Sequence, residues 1–427
     1  MPETPAATPP LLRRVNAGKV LEVLSRAEVL TGTNLMEATG LTRATVHAVC
    51  NDLIAMGWVL ELETGRERVY GQLGRPSRRF EFNSQAGYVL GIDVGAAKTT
   101  VLLANLKGQT VARSGRSFEQ VRTPAERTEV VNKAALEALA SAGVATTEVL
   151  AAGIGVAAPV DRAGDILVDD EFWQLFDTGL AARLTKLHNW TVLIENDANL
   201  AALGEQWCGA ARGVNDLAVL LAGERFGSGL MDSGRLLHGS RGGAGEMVYL
   251  NLVEGVGTTA GIARLARTWG AEAVTGRARK TALRSMSGGS PDKVSAEMVF
   301  AAAADGDKVA LSILDRLSVR VARVIATLAA LVNPELVVLG GAVSESAAAL
   351  LPGIEQQLPA YATTPPRVAV SSLGDAIVSI GAVRHALNHV ETNALDINLK
   401  AAERLAVRAD LPQTQGDPSR PHLNGTG

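Results

Sequence analysis

Four consecutive residues, Thr39-Gly40-Leu41-Thr42, constrain this chain more than any others. Glycine takes positive φ without steric cost, so Gly40 permits a tight turn between two helices. Thr42 is placed to N-cap the helix that follows. That helix carries Val46, Val49, Leu53 and Met56 at i, i+3, i+7 and i+10, a core-facing stripe. Its other face and its start present Arg43, Ala44, Thr45, His47 and Asn51, residues suited to phosphates and base edges. Upstream, Val20, Leu21 and Leu24 share one face of a first helix ending near Arg26, and a short second helix is expected around Asn34–Ala38.

The residues after this unit sharpen the reading. Trp58–Leu62 reads as a short strand, and a polar turn leads to Val69-Tyr70. Between Arg66 and Arg79 stand Arg66, Arg68, Arg75, Arg78 and Arg79 against Glu67 alone. The net charge of the chain is −3, so contact with a polyanion must come from such a local patch. A helical bundle with a solvated hairpin would share the helices, but not the ordered series of turn glycine, capped helix and basic wing. Residues 11–85 are therefore predicted to form a winged helix-turn-helix. Its contacts to double-stranded DNA would come from Thr42, Arg43, Ala44, Thr45, His47, Asn51, Arg66, Arg68, Arg75 and Arg78.

Composition narrows the rest. Apolar residues make up 47 % and charged residues 20 % of 427, ordinary values for a globular protein. Cys50 and Cys208 are the two cysteines, too few for a disulfide framework or a Cys-rich metal site, which suits a reducing cytoplasm. No stretch reads as a signal peptide or a membrane span. Residues 1–10 and about 408–427 have the composition of tails, and Leu395–Ala406 reads as a last helix, so 391–427 is expected to be a helix and a tail.

Residues 86–390 alternate Gly-bounded apolar runs with Ala-rich helical stretches, the signature of an α/β domain. Leu90–Gly95 is a strand ending in an Asp93-x-Gly turn. Thr99–Leu103 and Thr110–Arg113 are the next strands, followed by helix Ala125–Ala142 and strand Leu150–Val156. This order opens a ribonuclease-H-like or actin-like unit, in which the Asp-x-Gly turn approaches phosphates and its carboxylate holds a metal. In Val192–Asn199 a strand runs into a helix, with Asn196 and Asp197 at the strand's C-terminal end, where α/β folds bind ligands. An Asp there takes a proton from a sugar hydroxyl; equally, these residues, Asn199 in particular, serve as helix caps. Gly223–Gly229, Gly239–Gly245 and Gly340-Gly341 are turns that cradle phosphate or admit close packing.

Taken in order, these motifs resemble the ROK family of repressors and sugar kinases over roughly residues 11–390: Gly74-Arg-Pro, Gly91-Ile-Asp-x-Gly, Glu195-Asn-Asp-Ala-Asn, Pro334-Glu-x-x-x-Leu-Gly-Gly and Ser379-Ile-Gly-Ala. The resemblance implies two actin-like lobes around a sugar cleft, with a boundary near residue 205. Members with a winged helix look like sugar-responsive repressors. By resemblance, Asn196, Asp197 and Glu246 bind sugar hydroxyls, Glu254 matches a second family glutamate, and Tyr249 replaces a histidine. Two departures stand out. The family's Gly-Thr-Gly-x-Gly phosphate loop reads Gly223-Glu-Arg-Phe-Gly227, so a phosphate donor is lost and Glu224 brings like charge toward ATP, worth about 1 to several kcal/mol at ~4 Å. Arg225 and Phe226 add bulk where glycine is wanted. The zinc loop is missing after Glu246, and Met247-Val248-Tyr249 supply no thiolate or imidazole.

The expected protein is thus a cytoplasmic, homodimeric or homotetrameric DNA-binding repressor. Its kinase-like domain would bind a sugar or sugar derivative without phosphorylating it and without metal or cofactor. An active ATP-dependent sugar kinase with a regulatory DNA-binding domain, and a ligand-independent regulator, are the alternatives.

Overall fold

The structure is a computed structural model, and it describes residues 9–62, 77–167, 171–276, 280–341, 344–397 and 399. The chain forms two compact units, Met1–Gly87 with Ala394–Gly427, and Tyr88–Asn393.

In the first unit, helices α1 (Pro9–Ser25), α2 (Gly32–Thr39) and α3 (Arg43–Ala55) accompany strands β1 (Leu30–Thr31), β2 (Val59–Leu62) and β3 (Arg79–Phe82). The strands form an antiparallel sheet in the order β1-β3-β2. Gly40 caps α2 at φ 70°, a left-handed conformation that its missing Cβ makes cheap. Thr42 caps α3, accepting from the Thr45 amide. Val20, Leu24, Leu35, Val46, Val49, Leu53, Trp58 and Phe80 are buried and form the small core. The described C-terminal residues belong to this unit: Ala394 and Leu399 are buried, and Arg14 pairs with Asp396 at 2.6 Å. Residues 395–397 are turn rather than the start of a helix, and the helical expectation for 400–406 lies outside the described residues.

The second unit holds two five-stranded sheets of matching topology. The first contains β4 (Tyr88–Val94), β5 (Lys98–Asn105), β6 (Thr110–Ser117), β7 (Val149–Val156) and β8 (Thr191–Asn196) in the order β6-β5-β4-β7-β8. Helices α4 (Pro124–Ala142), α5 (Glu171–Gln174) and α6 (Leu180–His188) lie between these strands in the chain. Helix α7 (Asp197–Cys208) then leads to the second sheet. That sheet contains β9 (Leu217–Leu221), β10 (Gly227–Asp232), β11 (Arg235–Leu236), β12 (Leu336–Gly340) and β13 (Arg367–Val370), ordered β11-β10-β9-β12-β13. In each sheet the first three strands pair antiparallel and the last two join in parallel.

Helices α8 (Ile262–Thr275), α9 (Ala282–Met286), α10 (Ala296–Ala304), α11 (Lys308–Val332), α12 (Ser344–Ala347) and α13 (Leu351–Gln357) surround the second sheet. Helix α14 (Ile377–Thr392) ends the unit. Helices α7 and α14 pack together between the sheets, where Leu200, Ala201, Ile377, Val378 and Ala382 share a core with Leu217, Val219 and Val338. The Ser379-Ile-Gly-Ala motif has its physical reason here. A Cβ on Gly381 would stand 1.7 Å from the Leu200 carbonyl, so only glycine lets the two helices approach this closely. The sandwich fixes the start of α7, and with it the site.

Candidate functional site

In the first unit, Arg43, Ala44 and Asn51 are exposed along α3, and Thr45 and His47 are half-buried. Arg78 does not stand free. It holds Glu61 in a bidentate pair at 2.6 Å, donates to the Asn51 Oδ1 at 2.8 Å, and lies 5.1 Å over the Phe80 ring. It therefore braces the recognition helix against the sheet, and its charge is largely compensated by Glu61. Arg79 is exposed. The expected wing contacts Arg66, Arg68 and Arg75 lie outside the described residues.

In the second unit, the C-terminal end of β4 brings Asp93 to the start of α7, where Asp197 occupies the first helical position. Both carboxyls lie deep in the protein yet keep some surface open. Burial first, then the neighbouring Asp93 and Glu246 charges, push Asp197 up to about 8. Burial also pushes Asp93 up to about 7, with Asp375 adding to the rise and Lys98 opposing it. Glu246 rises through burial, moderated by Arg225. Three carboxyls thus share one electrostatic field, an arrangement suited to accepting from and donating to vicinal hydroxyls. Lys98 and Arg113 both pair with Asp375, at 3.2 and 3.0 Å.

Asn196 takes the capping role, one of the two readings its sequence position allows. Its Oδ1 accepts from the amides of Ala198 and Asn199, and its Nδ2 donates to the Ala158 carbonyl at 3.0 Å. It is the N-cap of α7, so most of its hydrogen-bonding capacity goes to holding Asp197 in place. Asn199, the residue favoured as cap from the sequence, is buried inside the helix and donates to Glu195 at 2.9 Å. Tyr249 is 74 % exposed in a turn after Met247, and Glu254 is exposed, its carbonyl accepting from Arg323. Among the described residues no interaction joins either side chain to the three carboxyls, although Met247, Leu250 and Val256 of the same segment are buried in the core.

Three groups take positions that the sequence reading did not assign them. Glu195 is buried and accepts from His238 Nε2 at 2.7 Å, tying the end of β8 to the loop that carries Glu246. Burial holds Arg127 below its ordinary value, and its guanidinium donates to the carbonyls of Gly95 and Ala96 in the Asp93 turn while lying 3.9 Å from the Phe118 ring. Arg225 lies 4.8 Å over the Phe172 ring. A polar residue inside an apolar or glycine-rich run was the available signal for Glu195 and Arg225; Arg127 stands in a charged stretch that gives none.

The second phosphate loop also differs from the expectation. Glu224 is paired with Arg267 at 2.7 and 2.9 Å, so much of its charge is cancelled before any ligand arrives. Phe226 is 5 % exposed and packs inward into the core, leaving the loop face clear of its ring. The backbone of this loop is itself engaged. The first-turn amides of α8, Ile262 and Ala263, donate to the carbonyls of Ala222 and Gly223 at 2.7 and 3.1 Å, and Gly261 donates to Glu224 at 2.9 Å. Helix N-terminal amides are the usual phosphate donors of such loops, and here these are already occupied.

Comparison with known proteins agrees with this architecture. Residues 15–62 match the IclR helix-turn-helix domain. A glucokinase of Halalkalibacterium halodurans is 33 % identical over 258 residues, 54 % of this chain and 74 % of that protein. A xylose repressor of Caldicellulosiruptor bescii is 24 % identical over 343 residues, 78 % of this chain and 84 % of that protein. Among solved structures, a ROK family transcriptional regulator, a homolog of the E. coli MLC protein, superposes with a TM-score of 0.70 at 20 % identity, covering 88 % of this chain and 96 % of that one. A ROK family glucokinase from Streptomyces griseus, in complex with glucose and AMPPNP, gives 0.60 at 25 % identity, covering 71 % and 100 %. Residues 89–388 match the ROK family throughout, and the chain belongs to that family.

Proposed function

We propose that this protein is a cytoplasmic transcriptional repressor that reads operator DNA through α3 and the β2–β3 wing, and that its second unit binds a sugar as effector without phosphorylating it. One observation carries the reading: a capped recognition helix shares a chain with a kinase-like body whose second phosphate loop is closed by its own carbonyls. The sugar would lie against Asp197, Asp93 and Glu246. The two units act by linkage: a sugar that binds one arrangement of the lobes better than the other shifts operator affinity by that difference. Two half-sites call for a homodimer or a larger symmetric assembly.

The test is footprinting of the purified protein on DNA upstream of its own gene, with and without pentoses and hexoses, beside an ATP-coupled assay on the same sugars. Protection that a sugar relieves, with no turnover, is expected. Turnover that disappears in Asp197→Asn would replace this reading with a second one, a kinase that also regulates. The retained Asp197 and the similarity to a glucokinase favour that alternative.

A further inference from the structure

A cavity of about 570 Å³ lies between α8, α11 and the turn after Glu254, on residues that neither the sugar cleft nor the DNA-reading unit uses. Its lining includes Arg316, Arg320 and Arg323 with one acid, Asp315, and an apolar wall of Leu265 and Trp269. The arginines stand at i, i+4 and i+7 of α11, so they share one helix face, with the outer two about 10 Å apart along the axis.

Their roles differ. Arg320 is buried and spends its donors on the carbonyls of Val256, Thr258 and Ala260, which pins the turn. Arg316 is exposed and lies 3.9 Å over the Trp269 indole. Arg323 gives one Nη to the Glu254 carbonyl, while its Nε is buried with no hydrogen-bond partner. None of the three forms an ion pair among the described residues. A buried N–H of a charged group without an acceptor is costly, and three arginines against one aspartate give the cavity walls a net charge of about +2. Burial pulls Arg320 down to about 10.

We propose that this cavity binds a small organic phosphate, a phosphate monoester on a body of about monosaccharide size. Arginine forks match phosphate oxygens, and a monoester carries about −1.5 to −2 at neutral pH, close to the charge of the walls. The volume falls within the ~300–1,000 Å³ of small-molecule sites and exceeds what a bare phosphate fills. The indole and Leu265 cover the body of the ligand. The turn that Arg320 pins continues into Thr259 and Gly261, which bond to Phe226 and Glu224. A ligand held here therefore bears on the loop that carries Arg225, beside Glu246.

The experiment is calorimetry and thermal shift on the full-length protein in phosphate-free buffer. The probes are glycerol 3-phosphate, glucose 6-phosphate and inorganic phosphate, with glucose and acetate as controls. The expected result is binding of the organic phosphates more tightly than inorganic phosphate. Arg316→Ala and Arg323→Ala should each weaken it at least about tenfold, the effect of one charge-assisted contact, while Asp197→Asn leaves it unchanged. Arg316 is exposed, so its variant tests the site without threatening the fold. The proposal is overturned if no organic phosphate binds at millimolar concentration, or if binding is lost in Asp197→Asn and kept in Arg316→Ala. A change of oligomeric mass in Arg316→Ala with no phosphate binding to the parent would also overturn it, in favour of a protein contact.

Discussion

Asp197→Asn offers the most direct test of the site's electrostatics, and it needs no knowledge of the sugar. Asp197 titrates near 8 in the folded protein against 3.8 for an ordinary aspartate, a rise of about 4 units. The folded state therefore holds this proton more tightly than the unfolded chain does. As pH rises from about 4 to about 8 the unfolded chain loses its proton first, so stability falls with pH through that window. At about 1.4 kcal/mol per unit the ceiling is near 6 kcal/mol. Some of the carboxyl surface remains open to water, so about 2–3 kcal/mol is the expected share.

Asparagine carries no such charge and still accepts from the Ala198 amide, as Asp197 Oδ1 does at 2.8 Å. The variant should match the parent near pH 4 and exceed it increasingly up to about pH 8. At roughly 2 °C per kcal/mol for a unit this large, the gap in Tm reaches about 5 °C. Differential scanning calorimetry of the sugar-free protein at half-unit steps of pH measures it. A gap that stays constant with pH would refute the shared field of Asp93, Asp197 and Glu246.

Three further outcomes are expected. Thr42→Ala removes the cap of α3 and should cost the first unit about 1 kcal/mol, read in urea titrations, with operator affinity falling alongside. Phe226→Ala empties a buried site in the second core and should cost about 3–5 kcal/mol there, seen as a lower urea midpoint; a loss below 1 kcal/mol would mean the ring is not packed inward. Arg43→Ala should weaken operator binding and flatten its salt dependence by about one unit of slope, whereas Arg78→Ala should change the salt slope less, because Glu61 already compensates that charge; fluorescence anisotropy at several salt concentrations separates the two.

Much of the molecule was legible locally. The Gly40 turn, the Thr42 cap, the apolar stripe of α3 and the strand-to-turn run at Asp93 all depend on neighbours within a few residues, so the sequence carries them in full. The order of strands and helices in 86–390 follows the same period-2 and period-3.6 patterns. Their assembly into two matching sheets entered through resemblance and is observed in the pairing registers. No helix among the described residues is long and apolar enough to cross a membrane, in line with the absence of a long apolar run.

What local pattern could not fix was the direction and company of individual side chains. Asn196 could bind a sugar or cap a helix; that it caps α7 and holds the Ala158 carbonyl is visible only in the fold. Glu224 looked like a charge aimed at ATP until Arg267, 43 residues away, was brought against it. Tyr249 looked like a substitute for a ligand-binding histidine until the turn after Met247 carried it into solvent. The Gly40 turn with which the chain announces itself was settled by backbone sterics alone. The three-carboxyl field and the arginine-lined cavity were not, because charge and burial are properties of what packs against a residue, and those partners come from distant parts of the chain.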